Sequence, residues 1–296
     1  MTKVRNKKRR IIIVLTAFAI IVLLEAWGYA LETVNYTVSS SKVSSPVRIV
    51  FISDLHNGFY GGKDQSGIWD EIQEQDPDIV LFGGDLIDMY GGFDNALKLA
   101  GLVKAEYPCA YTPGNHEMMR SDRQDFYDQL DALGVPRLEG SCTEFTVNDQ
   151  KIRICGIIDT IEYGKNGTQL ENCCELLDED CYNVLLSHQP EQTDACIDAA
   201  KEVPFDLILS GHAHGGQWEI PFILEQGLYA PDQGILPERT KGMYEYGDTV
   251  HIISKGLARP LRMIFIPRIF NRPELTVIDI EAAAEDFTGS IEIPTE

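Results

Sequence analysis
Five of the chain's six histidines fall inside one ordered set of short motifs, and the set is rich in metal-binding residue types. It runs Asp54-Leu55-His56, Gly84-Asp85, Gly114-Asn115-His116-Glu117, a lone His188, and Gly211-His212-Ala213-His214. In Asp54-x-His56, and again in His212-x-His214, the side chains stand at i and i+2, positions that share a face on an extended strand end. Asp85 follows two glycines, which free the backbone for a tight turn. Its carboxylate has several lone-pair sites and can bridge two cations; an imidazole cannot. Asn115 adds a neutral carbonyl oxygen and His188 one more nitrogen. Together these groups suffice for two metal ions that share Asp85. Two cations about 3.5–4 Å apart activate water and clamp an in-line phosphoryl displacement.

Such ligands must be carried by strands. Each motif follows a short β-like run: VRIVFIS, DIVLFGG, CAYTPG, NVLLS and DLILS. Loops at the carboxyl ends of parallel strands are where α/β sheets present their ligands, so five such ends can converge on one cleft. Between them the pattern predicts helices over 65–75, 94–105, 170–177 and 191–201. A further helix is predicted from a Ser121 cap to about Leu133, closed by Gly134 and Pro136. Residues 144–147 and 152–157 alternate around Asn148-Asp149-Gln150 and read as a β-hairpin. After Gly216 the chain is irregular and rich in Pro, Gly and aromatics until strands at 250–254 and 275–280. Strands alternating with helices mean α/β, and the hairpins suggest a second sheet.

Charge divides the chain. Of 25 basic and 46 acidic residues, the first 30 positions hold Lys3, Arg5, Lys7, Lys8, Arg9, Arg10 and Glu25. That leaves 19 basic against 45 acidic residues, about −26, for the body. A body so acidic repels nucleic acid. It suits a small substrate, or one met by a local metal charge. The apolar run Ile11–Leu24 follows the basic cluster directly. Extended to Leu31 it predicts a single-pass membrane anchor with a cytoplasmic N-terminus and an outward-facing body. The alternative is a signal peptide cleaved near Gly28-Tyr29-Ala30. A twin-arginine signal at Arg9-Arg10 fits its flanks poorly. The expected organisation is a basic N-terminus at 1–10, an anchor at 11–31, a polar spacer at 32–45, one globular domain at 46–281 and an acidic tail at 282–296.

Seven cysteines leave at least one unpaired within a monomer. Cys173, Cys174, Cys181 and Cys196 are close enough for a local disulfide, with small buried thiols as the equal alternative. None has the spacing of a zinc knuckle.

The motif order D-x-H, G-D, G-N-H-E, H, G-H-x-H resembles the calcineurin-like metallophosphoesterases, over about Val47 to Ile280. Gly83-Gly-Asp-Leu-Ile-Asp88, Gly211-His-Ala-His-Gly-Gly-Gln217 and Asn271-Arg-Pro-Glu274 resemble the bacterial membrane-anchored or exported branch. The resemblance implies a four-layer α/β/β/α sandwich, two packed mixed β-sheets flanked by helices. It implies that Asp54, His56, Asp85 and His214 hold one divalent metal, and Asp85, Asn115, His188 and His212 the other. A mixed nitrogen and oxygen set suits Mn, Fe or Zn. The resemblance also places His116 over the substrate as proton donor or phosphoryl ligand, with Asp88 orienting its imidazole. Glu117 stands where the family often has Asp, and Asn271-Arg272-Pro273 replaces a more usual Asn-Pro-Pro.

The expected activity is dinuclear phosphoester hydrolysis by direct attack of a metal-bridging hydroxide, with no covalent enzyme intermediate. His116 as the acid would make the rate fall at high pH. Phosphodiesters, phosphomonoesters and the pyrophosphate of small or lipid-linked molecules are the substrate classes. The alternative is a catalytically silent metal-binding envelope protein that uses the fold for interaction. A two-metal peptidase is disfavoured, because the motif order is that of phosphoesterases and no HExxH helix is present. His188 in isolation would read as an ordinary buried histidine; its place between motifs makes it a ligand. His251 has no such company and reads as core. Arg120 reads as a solvated helix-start arginine rather than a phosphate contact. Asp159 resembles a residue of this branch, but no mechanism attaches to it. Arg259 and Arg262 could line the mouth of the site or snorkel at a membrane, and Leu261–Phe270 could rest on a bilayer.

Overall fold
Continuous apolar runs make the strands, because a strand covered on both faces cannot alternate. The computed structural model describes residues 2–26, 30–158, 166–259 and 267–283. Its first sheet holds β1 (Glu32–Ser40), β2 (Val47–Ile52), β3 (Ile79–Gly83), β4 (Cys109–Thr112) and β13 (Glu274–Ala282), in the order β1-β13-β2-β3-β4. The second holds β5 (Ser141–Val147), β6 (Gln150–Ile157), β7 (Tyr182–Ser187), β8 (Leu207–Ser210), β11 (Gly242–Tyr246) and β12 (Thr249–Ile253), in the order β11-β12-β8-β7-β6-β5. Both sheets are mixed, and β9 (Tyr229–Ala230) and β10 (Gly234–Ile235) form a separate two-stranded antiparallel ribbon. β2, β3 and β4 run parallel in one, and β6, β7, β8 and β12 in the other.

Strand alternation sorts the side chains into layers. Ile49, Phe51 and Leu81 of the first sheet meet Ile154, Leu186 and Leu209 of the second in the central core. Val50, Ile52 and Phe82 point the other way, against Ile68 of α2 (Ser66–Gln75), Leu99 of α3 (Asp94–Glu106) and Phe126 of α5 (Arg123–Leu133). On the outer face of the second sheet, Cys155, Leu185 and Ile208 pack on Leu170 and Cys173 of α6 (Asn166–Glu175) and Cys196 of α7 (Thr193–Ala199). The architecture is two packed mixed sheets between helices, as expected.

Three expectations need correction. The polar stretch read as a spacer contains β1, paired in parallel with β13 along its whole length from Glu32↔Glu274 to Ser40↔Ala282. An edge strand needs only partial cover, so Asn35, Thr37 and Ser39 sit exposed and mask the pattern. The N-terminus does form a helix, α1 (Thr2–Ala26), but among the described residues no helix is long and apolar enough to cross a membrane. The run Ile11–Leu24 spans only about 21 Å at ~1.5 Å per residue, against a hydrocarbon core of ~30 Å. The helix does not continue to Leu31, where chain has already entered the approach to β1. The outward orientation drawn from a spanning anchor loses its support with it. Finally, the disulfide joins Cys142 to Cys155, which face each other across β5 and β6, rather than any of Cys173, Cys174, Cys181 and Cys196, which are free thiols as the equal alternative had it.

Smaller differences follow the same logic. The β5–β6 turn is made by Asn148 and Asp149, both with positive φ (50° and 63°), as a two-residue hairpin demands. Gly134 closes α5 in the left-handed conformation, but the helix starts after Asp122 rather than from a Ser121 cap, and no side chain caps it. Asp159, Arg262, most of Leu261–Phe270 and the tail beyond 283 lie outside the described residues.

His251 is not an isolated core residue. Its ring sits 3.1 Å from Thr193 Oγ1 at the start of α7 and 2.9 Å from Ser210 Oγ at the end of β8. Burial, reinforced by Arg239, pulls its pKa down to about 3. The unfolded chain therefore takes up this proton near pH 6.5 and the folded one near 3, so stability is lost as pH falls between those values. His251→Gln is expected to remove roughly 2 kcal/mol of the stability lost between pH 6 and 4.5. Urea titrations of both proteins at the two pH values measure it; equal losses would reject the assignment.

Candidate metal centre
The carboxyl ends of β2, β3, β4, β7 and β8 open on one another across the two sheets, and the backbone stitches them together. Asp54 N–H donates to the Gly84 carbonyl (3.0 Å), His56 N–H to the Asp85 carbonyl (2.9 Å) and Gly211 N–H to the His188 carbonyl (3.0 Å). Asp54 is also held from the other sheet, since His212 N–H lies 3.1 Å from both its oxygens. His116 N–H, on α4 (Asn115–Met119), donates to Asp85 Oδ1 at 2.9 Å.

The ligand loops are not extended strand ends. Asp54, His56, Asp85, His212 and His214 all adopt positive φ, between 49° and 65°. A run of non-glycine residues in that region costs energy and is tolerated where the surroundings over-determine it. The i, i+2 pairs therefore converge through left-handed turns rather than through strand alternation. Gly84 (φ 92°) is required twice over: a Cβ there would stand 2.6 Å from His188 Nδ1.

The structure brings the predicted ligands into overlapping groups. Asp54, His56 and His214 form one, and Asp85, His188 and His212 another, with the ligating atoms of each within 4.8 Å of one another. Asp85 joins them, with Oδ2 3.9 Å from His56 Nε2 and 3.3 Å from His188 Nε2. Asp54 Oδ1 lies 3.7 Å from His214 Nε2. Asn115 Oδ1 comes within 3.0 Å of His212 Nδ1, on the second group's side. His116 sits at the edge, with Nε2 3.8 Å from Asp85 Oδ2 and Nδ1 3.2 Å from Asp88 Oδ1.

Asp54, Asp85 and His188 are essentially excluded from water. Burial pushes the Asp54 carboxyl up, and neighbouring Asp85 adds to this. Burial acts on Asp85 in the same sense, yet His116, His188 and His56 hold it well below the usual range. His188 is pushed up to about 10, because Asp85 and Asp54 outweigh the burial that opposes its charge. Two buried carboxylates thus demand positive charge close by. Divalent cations would supply it, and a donor set of carboxylate oxygens, an amide oxygen and imidazole nitrogens fits them.

The roles of three supporting residues escaped the sequence reading. Glu117, fully buried, receives the N–H groups of Asp85 (3.0 Å), Ile87 (3.0 Å) and Gly114 (2.8 Å), and so shapes the turn that carries the central aspartate. Its spacing from Gly114, Gly-x-x-Glu at a helix start, is a capping signature that could have revealed it. Burial, then Asp85, raises its pKa to about 7. Asp232 accepts from His212 Nε2 at 2.8 Å and lies in the irregular region with no sequence signal. Arg268, buried beneath His214, donates to the carbonyls of Lys255 and Gly256. Asn271, of the Asn271-Arg-Pro-Glu274 motif, donates to the His214 carbonyl (2.7 Å).

Arg120 is neither solvated nor a phosphate contact. It is buried, paired with Asp122 (2.8 Å) and bonded to the carbonyls of Asp88 (2.7 Å) and Gly91 (2.9 Å), bracing the loop that holds Asp88. Arg259 lies over the Tyr60 ring at 4.2 Å.

Glu117→Ala leaves three buried N–H groups unpaired, a loss of about 6 kcal/mol at ~2 each. Relief of the buried charge returns about 3 kcal/mol for the shift in pKa. A net fall of about 3 kcal/mol in unfolding free energy is expected from urea denaturation at pH 7.5. A change under 1 kcal/mol would show that those N–H groups find other partners.

Paired carboxylate and imidazole groups buried at the carboxyl ends of strands from two packed sheets define a candidate metal-dependent hydrolase. Residues 47–216 match the family model for calcineurin-like phosphoesterases, and the chain belongs to that family; it is a phosphoesterase. It is 27% identical over 272 residues to the uncharacterized metallophosphoesterase YkuE of Bacillus subtilis, covering 86% of this chain and 90% of that protein. It is 31% identical over 195 residues to the uncharacterized protein YpbG of the same organism, covering 65% and 70%. A transmembrane protein with metallophosphoesterase domain from Bos taurus is 27% identical over 288 residues; the alignment covers 92% of this chain but 62% of that protein.

Proposed function
We propose that the chain hydrolyses a phosphate ester of a small or lipid-linked molecule with two divalent cations, one held by Asp54, His56, Asp85 and His214, the other by Asp85, Asn115, His188 and His212. The observation that supports this most is the position of Asp85, whose single carboxylate faces both histidine groups. The cations, when bound, supply an activated water and neutralise charge on the phosphoryl oxygens. The protein's share is orientation. His212 N–H aims Asp54, His116 N–H and the Glu117-held turn aim Asp85, and the Gly83 carbonyl fixes His188 through Nδ1 at 2.7 Å. His116 is the proton donor to the leaving oxygen, steered by Asp88. Its ring is 14% exposed, against 1% or less for His56 and His188, so it alone of the three has a face toward substrate.

Membrane association belongs to the same proposal. The bovine relative is named as a transmembrane protein. In α1, exposed Ile11–Leu15 and Phe18 follow Lys7, Lys8, Arg9 and Arg10, a pattern that suits apolar contact beside anionic headgroups.

The test is hydrolysis of bis(p-nitrophenyl) phosphate and p-nitrophenyl phosphate by the full chain with added Mn²⁺. Turnover that chelation abolishes and Mn²⁺ restores is expected, and the ratio of the two substrates assigns diester or monoester preference. Turnover unaffected by chelation would contradict the proposal.

A further inference from the structure
The two histidines assigned to the second cation present opposite ring nitrogens. His188 uses Nδ1 on the Gly83 carbonyl (2.7 Å), which leaves Nε2 facing Asp85. His212 is reversed: Nδ1 faces Asn115 Oδ1 at 3.0 Å, while Nε2 meets Asp232 Oδ2 at 2.8 Å. In neutral imidazole one nitrogen carries the proton and the other the lone pair, and the partner of the first decides which. A carboxylate accepts only, so Asp232 claims the proton for Nε2 and leaves Nδ1 as the donor atom.

Asp232 is not a chance neighbour. Its backbone is left-handed (φ 60°), a conformation uncommon for a residue with a side chain. Gln189, next to the ligand His188, donates its amide to the same Asp232 Oδ2 (3.1 Å). The adjacent Gln233 pins the loop by donating to Glu191 (2.6 Å) and to the Arg239 carbonyl (2.7 Å), and by accepting from Arg239 N–H (3.1 Å). The loop thus ends in a carboxylate aimed at one imidazole.

We infer that Asp232 is a positioning residue that fixes His212 as the Nε2–H tautomer and so sets Nδ1 as a ligand of the second cation site, with Gln189 linking it to the His188 loop. This rests on the two-cation reading. Outer carboxylates on ligating histidines typically contribute 10–100-fold to metal affinity. Asp232 is half-exposed, so the expected effect is near the lower end.

Calorimetric titration of the metal-stripped full chain with Zn²⁺ tests it, with wild type, Asp232→Ala and Asp232→Asn compared. Two sites in wild type are expected. In Asp232→Ala one site should weaken about tenfold or more while the other is unchanged. Asp232→Asn, which keeps an acceptor oxygen, should fall between them. Ring ¹⁵N spectra of the Zn²⁺-loaded protein should show a protonated Nε2 on His212 in wild type. Unchanged affinity at both sites in Asp232→Ala, equal weakening at both, or a protonated Nδ1 on His212 would overturn the inference. Failure of wild type to bind any metal would instead overturn the two-cation reading itself.

Discussion

Asp85→Asn is expected to reduce phosphoester turnover by a factor of about 10³ or more, equivalent to ~4 kcal/mol of transition-state stabilisation. The reason is charge and valence together. Asp85 faces both histidine groups, at 3.9 Å from His56 and 3.3 Å from His188, and approaches His188 more closely than Asp54 does (3.9 Å). An amide keeps the shape but offers one neutral oxygen, so it cannot serve two cations. The backbone held by Glu117 is untouched by this change, so the fold should survive. Metal analysis should then find at most one cation per chain, beside an unaltered circular dichroism spectrum. Full turnover with two cations bound would show that Asp85 is not shared.

His116→Ala should separate chemistry from metal binding. A positioned acid contributes about 10²–10⁴-fold when the leaving oxygen is basic. The expected loss is of that size for an alkyl or phenyl ester, and about tenfold or less for a p-nitrophenyl ester, whose leaving group needs no proton. Metal content should be unchanged, because the Asp54 and His188 groups remain complete. Asp88→Asn should give a smaller loss with the same leaving-group trend, since Asp88 reaches the chemistry through the His116 ring at 3.2 Å. A loss independent of the leaving group would assign His116 to phosphoryl binding instead.

Much of this was legible in the sequence, and the reason lies in which elements are self-announcing. β3 and β7 are buried along their whole length, and β2 everywhere but at Arg48, so they read as apolar runs and the motifs after them could be placed on strand ends. The gathering of Asp54, His56, Asp85, Asn115, His188, His212 and His214 was anticipated as a set. Its local cause was not: the side chains converge through left-handed turns, which Asp and His favour too weakly to announce. β1 was hidden because an edge strand tolerates polar residues on its open side. The groups that orient the ligands were hidden for a different reason. Asp232 and Arg268 reach the site from the turn of a short two-stranded ribbon and from the approach to β13, and only the folded chain brings them beside His212 and His214. The apolar N-terminal run was read as extending to Leu31, but Ala30 and Leu31 are not helical and lead into the polar β1.

The single most direct test of the account is the number of divalent cations bound per chain, by elemental analysis of the full-length protein after equilibration with Mn²⁺ and removal of excess. The account predicts two in wild type, with the second lost in Asp85→Asn. A wild-type value of one, or of none, would contradict it.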